Sequence, residues 1–179
     1  MILHLVDTNE ALAAAWREAF AGFPEVDVEC TDILSVAKHC IVSPANSLGF
    51  MDGGIDQQYL RLFGVAIQDR VQEAIARRPE RQLPVGASLV VATGHLCIPY
   101  LIVAPTMTIP ERVGAENAYR ALRAVLRIVS VEPRVGQDVY CPGLATGVGM
   151  VPAEDAAEAM AEAYGDWKVA TRSGSRGHC

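Results

Sequence analysis

Three short segments of this chain set glycines or acids among turn formers: Thr31-Asp32-Ile33, Ser43 to Asp56, and Pro142 to Pro152. Two of them carry close-spaced glycines ahead of a helical pattern, Gly53-Gly54 and Gly147-Val148-Gly149. Glycine lets backbone approach a ligand closely, and successive N–H groups at the opening of a helix favour an anion. Two such loops can clamp a diphosphate without a lysine; equally, the glycines can be plain tight turns. The chain has no G-x-x-x-x-G-K and no complete G-x-G-x-x-G, which disfavours a P-loop kinase and an ordinary dinucleotide fold. Asp56 falls just inside the glycine-opened helix, a rigid mount from which a carboxylate can take a proton from water. Its bland role is a first-turn acid stabilised by the helix dipole. Cys141 ends a β-rich run and is a possible nucleophile with His39 or His95 as base, but nothing in the sequence places either histidine beside it.

The elements that must carry these segments alternate between strand and helix. Residues 2–6 read as a buried strand, and Asp7-Thr8-Asn9-Glu10 as a capping box opening a helix whose apolar face is Leu12, Trp16 and Phe20. Val26 and Val28 alternate with acids as in a half-buried strand. A turn over Asp32–Ala37 then leads to a more deeply buried strand, His39-Cys40-Ile41-Val42. Ile55, Tyr59 and Phe63 take up helical spacing after the second segment, and Ile67, Val71 and Ile75 form a further helical stripe. Residues 86–93 and 99–104 are neighbouring strands with Pro99 at a strand start, and Gly114 to Val129 is a longer amphipathic helix. Asp138–Cys141 is a short strand, and Pro152-Ala153-Glu154-Asp155 opens a last helix with proline and acids in its first turn. This order predicts a three-layer α/β/α sandwich around a mixed, largely parallel sheet, in which ligands bind outside the carboxyl ends of the strands.

Composition narrows the function classes. A chain of 179 residues suits one domain, expected over 1–170, with 171–179 as a polar, disordered tail. A hydrophobic fraction of 51% excludes general disorder, and a net charge of −6 offers no broad cationic face for duplex nucleic acid. The longest apolar stretch, Leu96 to Pro105, falls well short of a bilayer span, so no membrane partner is expected, and the N-terminus lacks the basic start of a signal peptide. Five cysteines with no C-x-x-C, and four histidines with no H-E-x-x-H, indicate neither a disulfide framework nor a zinc site. Cys30, Cys40, Cys97 and Cys141 read as small buried hydrophobes, and the cytoplasm is the expected compartment.

The order and wording of the three segments resemble the macrodomain family, whose members bind ADP-ribose and in several branches hydrolyse it from its attachment point. Ser43-Pro44-Ala45-Asn46-Ser47 resembles the family's Asn-Ala-Ala-Asn loop, Gly53-Gly54-Ile55-Asp56 its Gly-Gly-Gly-Val-Asp, and Ala145-Thr146-Gly147-Val148-Gly149 its second phosphate loop. The resemblance implies that Asp32 accepts from the adenine amino group with the Ile33 backbone beside it, Asp32 being otherwise a helix N-cap. It implies that Gly53, Gly54, Ile55 and the 145–149 loop hold the diphosphate. Asn46 would contact the distal ribose, or be a structural turn residue, and Asp56 would activate the water that attacks C1″. The implied activity is hydrolysis of mono-ADP-ribose from modified acidic side chains of proteins. The alternatives are a non-catalytic ADP-ribose reader and a hydrolase of ADP-ribosylated DNA bases. No metal or cofactor is called for, because the bond to be cut already sits at an activated anomeric carbon near the phosphates.

The chain also departs from the family pattern. Ser43 and Pro44 replace the first Asn-Ala, and Asp52 stands where the first of three glycines is expected, either pointing outward or serving as a second acid beside Asp56. Gly149 replaces an aromatic that usually packs on the distal ribose. Ile2–Phe20 resembles the strand–helix unit that usually closes the family's chain, which implies a permuted arrangement with Val6 where many members stack an aromatic on adenine.

Overall fold

The computed structural model describes residues 1–174. The strands are β1 (Ile2–Asp7), β2 (Val26–Cys30), β3 (Cys40–Ser43), β4 (Leu89–Ala92), β5 (Tyr100–Val103) and β6 (Asp138–Cys141). The helices are α1 (Glu10–Ala19), α2 (Ile33–Val36), α3 (Gly54–Phe63), α4 (Ala66–Ala76), α5 (Glu116–Val131) and α6 (Ala153–Gly174). One six-stranded sheet has the order β2-β1-β6-β3-β5-β4, with every pairing parallel except that of β4 with β5.

The short apolar runs form strands because both of their faces are covered, and successive side chains enter opposite layers. Leu3, Leu5, Cys40, Val42, Ile102, Val139 and Cys141 point into a cluster with α1, α5 and α6. Val6, Ile41, Leu101, Val103 and Tyr140 point the other way, against α3 and α4. This is the expected three-layer α/β/α sandwich with a mixed, largely parallel sheet. β1 lies inside it between β2 and β6, where a permuted strand has to sit.

Several local expectations need correction. Asn9, not an Asp7–Glu10 box, caps α1: its Oδ1 accepts the N–H groups of Ala11 at 3.0 Å and Leu12 at 3.3 Å. The Asp32–Ala37 turn contains one helical turn, α2, capped by Asp32. Cys40 and Cys141 are buried, but Cys30 and Cys97 are exposed, one at the end of an edge strand and the other between β4 and β5. The last helix runs through Thr171–Gly174, into the segment expected as tail, and the rest of that segment lies outside the described residues. No helix among the described residues is long and apolar enough to cross a membrane.

Candidate functional site

The parallel strands end at the same edge of the sheet, and the loops that leave them enclose a cavity of about 520 Å³. That size lies within the range of small-molecule sites. The strand order sets out its wall from one end to the other. Thr31, Asp32 and Ile33 follow β2; Val6, Asp7 and Thr8 lie at the end of β1; Pro142 and Gly143 follow β6. Pro44, Ala45 and Asn46 follow β3, and Thr106, Met107 and Pro110 follow β5. Gly53, Gly54, Ile55 and Asp56 also line it, as do Ala145, Thr146, Gly147, Val148 and Gly149, so that every residue the resemblance assigns to the ligand or to water lines this one space, whereas Cys141, His39 and His95 do not. Asp52 lines it as an exposed rim residue.

Asp56 is the third residue of α3 and is only 6% exposed. The buried Ser43 hydroxyl at the end of β3 donates to its Oδ1 at 2.6 Å. Burial pushes the Asp56 carboxyl up to about 7, against the pull of the Ser43 hydrogen bond, which favours the ionised form. One turn further along α3, Tyr59 is fully buried and its hydroxyl donates to the Val42 carbonyl at 3.1 Å, tying the helix to β3. The carboxyl is thereby fixed from two directions, and Asp56 sits where a proton-transfer group at neutral pH would be poised.

Asp32 uses Oδ1 to accept the Leu34 N–H at 2.9 Å, which is the capping role. A carboxylate has further acceptor positions, so the cap leaves it able to meet a ligand donor. Asn46 is more committed. Its Oδ1 accepts the N–H groups of Leu48 at 3.1 Å and Phe50 at 3.3 Å, and its Nδ2 donates to the Phe50 carbonyl at 2.8 Å. The structural turn role is therefore present, and one amide N–H is left for a ligand.

The 145–149 loop is held by backbone bonds: Val151 N–H to Ala145 at 3.1 Å, Met150 N–H to Gly147 at 3.0 Å, and Val113 N–H to Gly149 at 3.1 Å. Ala145 has φ +63°, a strained value for a non-glycine residue that this bonding maintains. A Cβ on Gly149 would lie 2.5 Å from the Ala145 carbonyl oxygen and 2.9 Å from Val113 Cγ2, so no side chain of any kind fits there. Gly53, Gly54 and Gly147 instead have open space around the Cβ position, which keeps their backbone accessible to a ligand.

Asp7 is a site residue that sequence reasoning misses, since it reads there as part of a cap. Its Oδ2 accepts the Gly143 N–H at 3.2 Å and its Oδ1 the Asn9 N–H at 3.0 Å, joining the ends of β1 and β6. A Cβ on Gly143 would come within 2.7 Å of Leu12 Cδ2 and 3.0 Å of Asp7 Oδ2, so glycine is what lets these segments meet. Ser43 stands out in the sequence only as a departure from a motif; its partner lies thirteen residues on, and no local pattern announces the pair. Phe50 and Gln58 also line the cavity. Cys141 does not act as a nucleophile would need to, because it is fully buried and burial raises its thiol, suppressing the thiolate.

Comparison with known proteins agrees with this layout. The Macro domain family model matches residues 42–160. An uncharacterised protein of Aquifex aeolicus is 38% identical over 139 residues, covering 77% of this chain and 79% of its own. Two solved structures share the fold. The macrodomain of Mycobacterium tuberculosis DarG has a TM-score of 0.64 at 24% identity, over 76% of this chain and 87% of its own. The Oceanobacillus iheyensis macrodomain with ADP has a TM-score of 0.64 at 20% identity, over 75% and 71%. The family match begins within β3, so β1 to α2 precede it. With the sheet order, the loop-lined cavity and this match taken together, the chain belongs to the Macro domain family.

Proposed function

We propose that this macrodomain binds ADP-ribose in its cavity and hydrolyses mono-ADP-ribose from modified acidic side chains of proteins, releasing ADP-ribose. The observation that carries the reading is Asp56: a buried carboxyl raised to about 7 in the wall of a nucleotide-sized cavity, beside a glycine-opened helix start. Adenine lies at the β2 end against Asp32 and the Ile33 backbone. Backbone N–H groups of Gly53–Ile55 and Thr146–Val148 hold the diphosphate, and the distal ribose reaches the β3 end, where Asn46 has an amide N–H to offer. A neighbour of this fold was solved with ADP, which supports a nucleotide diphosphate as the ligand class.

In the reaction a water oxygen bonds to C1″ as the bond from C1″ to the acceptor carboxyl oxygen breaks. The bonding pair leaves with the carboxylate, a stable anion that needs no proton. Asp56 takes the proton of the attacking water, directly or through a second water, and returns it to solvent after release. Positive charge developing at C1″ lies near the bound diphosphate, which stabilises it.

A second reading, a non-catalytic reader, is favoured by one feature: most of the Asn46 amide is engaged by its own loop, which weakens the grip expected on the distal ribose. Incubation with a glutamate-linked mono-ADP-ribosylated protein, with released ADP-ribose quantified by mass spectrometry against Asp56→Ala, separates the two. Release by the wild type alone supports the hydrolase. ADP-ribose binding by both proteins with release by neither supports the reader, and equal release by both removes Asp56 from the mechanism.

A further inference from the structure

Asn46 does more than close a turn. Its side chain grips one residue from both sides, accepting the Phe50 N–H at 3.3 Å and donating to the Phe50 carbonyl at 2.8 Å. The next residue is fixed too: Met51 is 1% exposed and its N–H donates to Gln68 Oε1 at 2.8 Å. Between these anchors the Phe50 ring is 48% exposed, yet it lines the cavity. A solitary exposed aromatic is ordinary on a protein surface. One whose backbone is held at both its N–H and its carbonyl, at the mouth of a cavity, is displayed there.

We propose that Phe50 is the face on which the terminal sugar of the bound ligand packs, and that Asn46 is a positioning residue that holds Phe50 in place. This rests on the ADP-ribose reading, and the layout of the sheet supplies the direction. The cavity wall runs from Asp32 after β2 to Asn46 after β3 and Met107 after β5, and Phe50 belongs to the loop at this second end. With adenine at Asp32 and the diphosphate between the glycine loops, the group left for the second end is the distal ribose. The C–H face of a furanose is apolar and gains dispersion contacts from an aromatic ring. The 145–149 loop, which also lines the cavity, cannot supply such a ring at Gly149, which has no room even for a Cβ.

Two ligands separate the possibilities, because ADP lacks the distal ribose and ADP-ribose has it. Calorimetric titration of the wild type and Phe50→Ala should show ADP-ribose affinity falling about tenfold in the variant while ADP affinity stays within about twofold. Phe50→Tyr should restore the ADP-ribose value. Asn46→Ala should lower the ratio of ADP-ribose to ADP affinity, and in the double variant the combined loss should fall short of the sum of the single losses, because the part of the Asn46 loss that passes through Phe50 is already gone and only that of its own amide contact remains. Equal losses for both ligands in Phe50→Ala would overturn the proposal by placing the ring on adenine or the phosphates. So would unchanged affinity for both, or additive losses in the double variant for the role given to Asn46. If the folded wild type, checked by its melting transition, binds neither ligand, the ADP-ribose reading itself falls and this inference with it.

Discussion

Replacing Asp56 by asparagine should stabilise the protein at alkaline pH while abolishing the proposed hydrolysis. The carboxyl of Asp56 is raised from 3.8 to about 7 in the folded chain. Between about pH 4 and pH 7 the native state therefore keeps a proton that the unfolded chain has released. Unfolding free energy falls as pH rises wherever the native state binds more protons, so Asp56 carries no penalty below pH 4 and its full penalty above pH 7. A gap of about three pH units corresponds to a penalty of about 4 kcal/mol. The substituted amide would keep the shape and accept the Ser43 hydroxyl at its Oδ1, but would have no charge to bury. At pH 8 the Asp56→Asn variant should thus unfold at higher temperature than the wild type, by about 10 °C if the whole penalty is recovered in a domain of this size. At pH 4.5, where the penalty has only begun to build, the gap should shrink to about a quarter of that. The assay is thermal unfolding of both proteins from pH 4.5 to 8.5, read as the difference between the two Tm curves so that other titrating groups cancel. A flat difference would refute the reasoning, because it would mean that Asp56 titrates alike in the folded and unfolded chains.

Ser43→Ala removes the donor that favours the charged form of Asp56, and a hydrogen bond to a charged group contributes about 1.5–3 kcal/mol. The lower limb of the pH–activity profile should move about one to two pH units alkaline, with Ser43→Thr moving it less; an unmoved limb would separate Ser43 from the titration. Gly149→Ala would drive its Cβ to 2.5 Å from a backbone oxygen, and overpacking of this kind costs about 1–3 kcal/mol. Chemical denaturation should show that loss, together with weaker ADP-ribose binding as the loop shifts. Asp32→Ser keeps a good N-cap for α2, so stability should stay within about 0.5 kcal/mol of the wild type while ADP-ribose affinity falls; unchanged affinity would leave Asp32 as a cap only.

The layers were legible because burial on both faces leaves a plain pattern, so that a run such as Asp138–Cys141 is found at its true ends. The location of the cavity followed from the same pattern, since parallel strands must deliver their carboxyl-end loops to one edge. What could not be read was pairing at a distance. Asp7 stands beside Asn9 in the sequence, and both are good caps; only the folded chain brings Gly143 to Asp7, which settles the cap on Asn9. The donor that tunes Asp56 comes from another element, and the amide of Asn46 is claimed by a residue four places on. Cys30 was misplaced because a strand's sequence does not say whether it lies at the edge of its sheet, and β2 does. α2, a single helical turn, is too short to show a period at all. Thr171–Gly174 read as tail because the end of α6 is polar, and polarity reports exposure rather than the absence of a helix.

The charges around the cavity bind these features into one requirement. Asp7, Asp32, Asp52 and Asp56 line it, and none of the described residues that line it is Lys or Arg. A diphosphate entering this space meets repulsion from the side chains and attraction only from backbone N–H groups, which is why open glycines at 53, 54 and 147 matter more here than in a lysine-bearing site. The raised carboxyl of Asp56 eases the conflict, because near neutral pH a large fraction of the molecules carry it uncharged while the ligand binds. The proposed hydrolysis asks the opposite of the same group, since only the carboxylate can take a proton from water. Rising pH should therefore increase kcat through the ionisation of Asp56 and at the same time increase KM by restoring a negative charge beside the ligand. The Ser43 hydroxyl sets where these two demands cross, because it turns a buried acid that would stay uncharged and inert at neutral pH into one that can take a proton from water.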